Sequence, residues 1–188
     1  MELVSEAALF AIEAHDGMRR KSTDIPYILH PMEAAAIVGS LTSDQEVIAA
    51  AVLHDVVEDA GVTLEQVAAR FGRRVAQLVA SETENKREHL PAGATWRIRK
   101  QESIGMLQNT DDIAVKMLYL GDKLANMRSI HRDWVREGEV MWSRFHQKDP
   151  AQQGWYYRAI ADATTVLCDT PAWQEYDWLI KTVFERGM

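Results

Sequence analysis

Apolar residues recur at three- and four-residue spacing along almost the whole chain, and no segment shows the two-residue alternation of a half-buried strand. That pattern restricts the fold to packed helices. Residues 2 to 16 set Leu3, Ala7, Phe10, Ala11 and Ala14 on one face and stop at Gly17. A second helix is expected over 31 to 41, with Pro31 in its first turn and His30 at its entrance. Ser43 and Glu46 have the spacing of a capping box and open a third helix that runs to Asp59 and ends at Gly61. Thr63 and Gln66 repeat the device ahead of LEQVAARF, which Gly72 closes, and RRVAQLVAS is a short fifth helix. Residues 82 to 95 carry no such signal and are expected to form a mobile loop. Helices resume over 96 to 108, 112 to 132, 138 to 146, 150 to 168 and 171 to 185, the last capped by Thr170. At 188 residues, with no internal repeat or linker, the chain is expected to form one compact all-α domain over 1 to 188.

The formal charge of −7, from 28 acidic against 21 basic residues, repels polyanions, so no nucleic-acid partner is expected. An anionic small-molecule substrate must be met by local basic groups. One cysteine, Cys168, excludes an intramolecular disulfide and points to a reducing, cytoplasmic setting; following Val166 and Leu167 it reads as a core or helix-end thiol. No apolar run reaches the length of about 20 residues needed to span a bilayer, and Glu2, Glu6 and Glu13 are unlike a signal peptide. No membrane partner is expected.

Within the third helix, LHDVVEDAG (53 to 61) carries four ionisable residues in an otherwise apolar run. His54 and Glu58 are four residues apart, as are Asp55 and Asp59, which puts two adjacent rungs on one helical surface. Left unpaired, such groups cost several kcal/mol, so partner cations or a divalent metal are required. One His-Asp pair offers too few ligands. His30 and Asp122, the latter within LYLGDKLANMRS and one turn before Asn126, are the candidates to complete it. Two histidines and two carboxylates form a mixed nitrogen and oxygen site that suits manganese, ferrous iron or another divalent ion and leaves positions for water and substrate. Hydrolysis of a phosphate ester is the natural chemistry, with Glu58 and Asp59 placed to orient or deprotonate water, or to protonate a leaving oxygen. His15, His89, His131 and His146 read as surface or packing residues, Trp155, Tyr156 and Tyr157 as helix packing, and Arg97, Arg99 and Lys100 as a solvated helix face.

The segments RKSTDIPYILHP (20 to 31), AAVLHDVVEDAGVTLEQVAARFGRRVAQLV (50 to 79) and LGDKLANMRSI (120 to 130) resemble the HD-domain metal-dependent phosphohydrolases. Within these they are most similar to the hydrolase domain of RelA/SpoT-type enzymes and to stand-alone small alarmone hydrolases of the metazoan SpoT homologue type. The resemblance is strongest over 20 to 80 and 115 to 130. It implies that His30, His54, Asp55 and Asp122 hold one metal ion, usually manganese, and that Glu58 and Asp59 handle water and proton transfers. It further implies that Arg20, Lys21 and Ser22 line the nucleotide site and that Asn126 contacts the nucleoside. Ser129 keeps a hydroxyl where many relatives have threonine, and Lys86 matches a basic residue after the fifth helix. The reaction implied is removal of the 3′-pyrophosphate of guanosine tetraphosphate or pentaphosphate. Gly121 stands where alanine is usual, and the stretches around 82 to 96 and 134 to 154 match the family little. These departures leave open another nucleotide substrate (an adenosine alarmone, NADPH or a 5′-nucleotide) or a catalytically silent nucleotide sensor. Spare apolar and aromatic surface near the C-terminus is compatible with a homo-oligomer.

Overall fold

Helix α8, Ile113–Glu137, is the axis around which the other elements pack. Asp112 caps it by accepting from the Ala114 N–H at 2.9 Å, and Leu118, Leu120, Leu124 and Met127 are fully buried along it. The computed structural model describes residues 1–21, 23–87 and 89–185. Ahead of α8 come α1 (Leu3–Ala14), α2 (Leu29–Gly39), α3 (Gln45–Leu53), α4 (Val56–Asp59), α5 (Leu64–Phe71), α6 (Arg73–Glu82) and α7 (Ala92–Asn109). A 3-10 segment, Gly138–Arg144, leads on to α9 (Pro150–Ala163), a short 3-10 turn (Thr165–Leu167) and α10 (Pro171–Phe184). The described residues form one all-α domain without a strand. Their sole bridge joins Arg19 and Pro26. Among them, no helix is long and apolar enough to cross a membrane.

Helices α1 and α2 pack on α3, α6 joins α3 to α8, and α2 and α10 flank α8. Where α2 meets α8, Gly121 lets the backbones close together. A Cβ there would lie 2.6 Å from Val38 Cγ2 and 3.0 Å from the Ala34 carbonyl oxygen. This contact fixes the position of Asp122 relative to His30.

The capping box at Thr63 and Gln66 forms, with contacts of 2.8 and 3.2 Å, and Thr170 caps α10. Four local expectations are corrected. Ser43 and Glu46 form no capping box: Asp44 caps α3 by accepting from the Glu46 N–H at 3.0 Å, and the Glu46 carboxylate pairs instead with Arg74 at 2.8 Å. The third helix is also two helices. His54 Nδ1 lies 2.8 Å from the Ala51 carbonyl oxygen, the acceptor that the Asp55 N–H would use in a continuing helix, and the chain turns at Asp55 (φ −98°, ψ −4°) before α4. Finally, α7 begins at Ala92 behind Pro91, inside the expected loop, while α8 runs on to Glu137, where Gly138 at φ 61° ends it.

Candidate active site

The turn between α3 and α4 aims His54 and Asp55 at one point, where the first turn of α2 brings His30 and the middle of α8 brings Asp122. His30 Nε2 lies 3.0 Å from Asp122 Oδ1 and 3.5 Å from Asp55 Oδ2. His54 Nε2 lies 3.0 Å from Asp55 Oδ2 and 3.7 Å from Asp122 Oδ1, and the two imidazole Nε2 atoms are 3.3 Å apart. Nδ1 of His54 donates to the Ala51 carbonyl, which leaves Nε2 as the nitrogen that faces this point.

The charges around the cluster bear on whether it suits a cation. Both carboxylate oxygens of Glu82, at the end of α6, are buried without a hydrogen-bond partner among the described residues, and the residue lines the same cavity. Burial, reinforced by the nearby Asp122 charge, pushes the Glu82 carboxyl up to about 8. Burial would lower His54, but Asp55 and then Asp122 overcome it and carry the imidazole up to about 10. Asp55 and Asp122 stay well below the usual carboxylate range despite burial, held there mainly by His54 and Lys123 respectively. On the protein's own charges, therefore, His54 and Glu82 must take up protons. A divalent cation among two imidazoles and two carboxylates supplies that positive charge, and the donor set fits one.

Further groups surround the cluster. Tyr27 OH lies 2.7 Å from Asp55 Oδ2 and 2.8 Å from Asp59 Oδ2. Lys86 Nζ donates to Asp59 Oδ1 at 2.6 Å and to the Glu58 carbonyl at 2.8 Å. Burial and the Asp55 charge raise the Glu58 carboxyl above its ordinary value, and its Oε2 accepts from the Glu84 N–H at 3.2 Å. Asn126 donates to Asp122 Oδ1 at 2.6 Å and accepts from Arg20 at 2.9 Å; Lys123 is ion-paired with Asp122.

The structure thus brings together His30, His54, Asp55, Glu58, Asp59 and Asp122, with Lys86 and Asn126 touching them and Arg20 bonded in turn to Asn126. Lys21 and Ser129 line a neighbouring cavity, and Ser22 lies outside the described residues. Arg99 and Lys100 are not a solvated face: they pair with Glu84 at 2.6 and 2.7 Å and border the cavity that His30, His54, Asp55 and Asp122 line, because α7 turns this side of itself inward. His15 is buried against Tyr27, ring centroids 5.0 Å apart, and Cys168 is an exposed thiol at a helix end. Tyr27, Lys123 and Glu82 are contributors that the sequence pattern did not single out, whereas Arg99 and Lys100 read there as a solvated face. Glu82 had one signal: it takes the next core position after Val75, Leu78 and Val79, where an apolar residue is the norm.

The sequence profile of the HD domain matches residues 7–150 of this chain. A probable guanosine-3′,5′-bis(diphosphate) 3′-pyrophosphohydrolase of Synechocystis sp. is 36% identical over 128 residues, which cover 68% of this chain and 17% of that protein. A protein of the same name without the qualifier, from Aquifex aeolicus, is 36% identical over 134 residues, 71% of this chain and 18% of that one. This chain therefore spans under a fifth of the length of those relatives. Among solved structures, lmo0812 of Listeria monocytogenes EGD-e superposes with a TM-score of 0.73 and 33% identity, covering 84% of this chain and 99% of that chain. A metazoan orthologue of SpoT that hydrolyses ppGpp superposes with a TM-score of 0.76 over 100% of this chain and 97% of that one; at 24% identity it shows the shared fold.

Proposed function

This chain belongs to the HD-domain family, and from that membership we propose that residues 1 to 188 act as one alarmone hydrolase, releasing pyrophosphate from the 3′ position of guanosine tetraphosphate or pentaphosphate. One observation carries the reading: two buried imidazoles converge on two carboxylates, each Nε2 lying 3.0 to 3.7 Å from an oxygen of both Asp55 and Asp122, directly beside Glu58 and Asp59. The names of the Synechocystis and Aquifex relatives support the substrate.

In this reading His30, His54, Asp55 and Asp122 hold one divalent ion, manganese, whose chemistry when bound is Lewis acidity toward a phosphoryl oxygen. Glu58, with its raised pKa, takes a proton from the attacking water. Water adds to the ribose-linked phosphorus of the 3′-diphosphate as its bond to the ribose oxygen breaks, and the proton taken by Glu58 passes to that oxygen. The products are GDP or GTP and pyrophosphate. Asp59, fixed by Tyr27 and Lys86, orients the water, while Arg99 and Lys100 meet the diphosphate and Arg20 and Asn126 the nucleoside.

The test is a time course with manganese and guanosine tetraphosphate, products being resolved by anion exchange. Equal amounts of GDP and pyrophosphate, lost on chelation, are expected. Absence of turnover with metal shown to be bound overturns the reading and directs attention to adenosine alarmones, NADPH and 5′-nucleotides, and then to a silent sensor.

A further inference from the structure

Beyond the metal cluster the floor of the cleft continues along α8. Asn126, Ser129 and Asp133 follow Asp122 at helical spacing and line a second cavity of about 380 Å³, which shares Arg20, Tyr27 and Asn126 with the first. The two cavities differ in charge. Carboxylates dominate around the His30–Asp122 cluster, whereas the second cavity is bordered by Arg20, Lys21, Arg132 and Arg136 with Asp133 as the single acid among the described residues, in a chain whose formal charge is −7. So concentrated a positive lining suits an anionic group.

The cations are not equivalent. Arg136 is held by Glu137 at 2.6 Å and Asp133 at 3.0 Å, and Arg20 by Asn126. Arg132 makes no ion pair or side-chain hydrogen bond with a described residue, although it lies between this cavity and an adjoining crevice that reaches Glu33. Glu33 is itself taken by Arg128 at 3.3 Å. Helix geometry also places Arg132 at a useful distance. Ten residues beyond Asp122 correspond to about 15 Å of axis, and helical side chains lean toward the N-terminus, which brings the guanidinium back over Ser129. Ser129 and Arg132 thus border the second cavity beyond Asn126, which the two cavities share. Ile130, Phe145 and Tyr157 add apolar lining to the same cavity.

We propose that Arg132, with Lys21 beside it, binds the 5′-phosphates of a nucleotide whose 3′-diphosphate lies at the metal cluster. Arg132 thereby makes this site prefer nucleotides phosphorylated at both ends. The assignment rests on the hydrolase reading above, and its test separates the two. Steady-state rates are measured with manganese for guanosine 3′-diphosphate carrying a 5′-hydroxyl, 5′-monophosphate, 5′-diphosphate or 5′-triphosphate. For the unaltered protein, kcat/KM is expected to rise about tenfold or more between the 5′-hydroxyl and the 5′-diphosphate, as a charge-assisted phosphate contact implies. In Arg132→Ala the rise collapses to about twofold through a higher KM, and Arg132→Lys recovers part of it. Turnover of the whole series with an unchanged 5′-phosphate dependence in Arg132→Ala overturns the assignment and leaves the hydrolase reading standing. If nothing in the series is turned over, the hydrolase reading falls, and calorimetric binding of GDP against guanosine decides the subsite. Tighter GDP binding that Arg132→Ala abolishes supports it, and equal affinities reject it. The melting temperature of each variant confirms that the exposed substitution leaves the fold intact.

Discussion

Tyr27 has one phenolic proton but two carboxylate oxygens within 2.8 Å, one from Asp55 and one from Asp59. It therefore ties a cluster residue to the neighbouring acid and fixes the angle at which Asp59 meets the cleft. Tyr27→Phe is expected to retain divalent metal, as measured by metal content, while kcat falls about tenfold with little change in KM; unaltered kcat would remove the positioning role. Glu58→Gln should also keep the metal but lose on the order of a hundredfold in rate, because an amide cannot accept a proton from water. Glu82 gives a pH signature in the metal-free protein. Burial and Asp122 raise its carboxyl from 4.5 to about 8, Lys123 and His54 offsetting only part of this, so the folded chain holds a proton that the unfolded chain releases. Stability contributed at this position falls as pH rises between those values. Glu82→Gln should accordingly raise the melting temperature of the metal-free protein more at about pH 8 than at about pH 5; equal shifts at both would show that Glu82 does not titrate there. At this scale the residues written side by side, His54 with Asp55 and Glu58 with Asp59, were legible as a chemical unit. Tyr27, Arg99 and Lys100 were not, since only folding sets them against these groups.

Helix boundaries follow local chemistry wherever a cap can act within a few residues, as Thr63 and Thr170 do. They depart from the sequence pattern where a side chain competes for a backbone group. The apolar spacing through 45 to 59 is continuous, yet the His54 ring reaches the Ala51 carbonyl and the helix breaks at Asp55. Two parallel rungs on one helix become a turn that points His54 and Asp55 inward. Contact between elements is equally specific. Gly121→Ala replaces a poor helix former with a better one, worth about 1 kcal/mol in isolation, but its methyl must enter the space of Val38 Cγ2 and the Ala34 carbonyl. A net destabilisation of about 1–3 kcal/mol in chemical denaturation is expected, with weaker metal binding because α2 and α8 carry His30 and Asp122. A stabilised variant would show that the two helices separate at little cost.

The cluster joins α2, the α3 to α4 turn and α8, so a bound ion should act as a tie across the molecule. Manganese is expected to raise the melting temperature in a concentration-dependent way, equivalent to about 2.7 kcal/mol at a hundredfold excess over Kd, and His54→Ala should abolish the rise. A persistent shift in that variant would place the ion elsewhere. The linear pattern of the chain determined that it is all helix, where several helices start, and which residues have the chemistry of a mixed nitrogen and oxygen site, because periodicity, caps and adjacent ionisable residues act over one or two turns. Tertiary structure decided the rest. The approach of α2 to α8 at Gly121 sets the distance from His30 to Asp122, the inward turn of α7 converts Arg99 and Lys100 from surface charges into cavity cations, and the length of α8 places Arg132 beyond the metal cluster. These relations depend on packing between segments far apart in the chain, where a shift of an ångström changes which polar groups meet, and residue spacing carries no record of that distance.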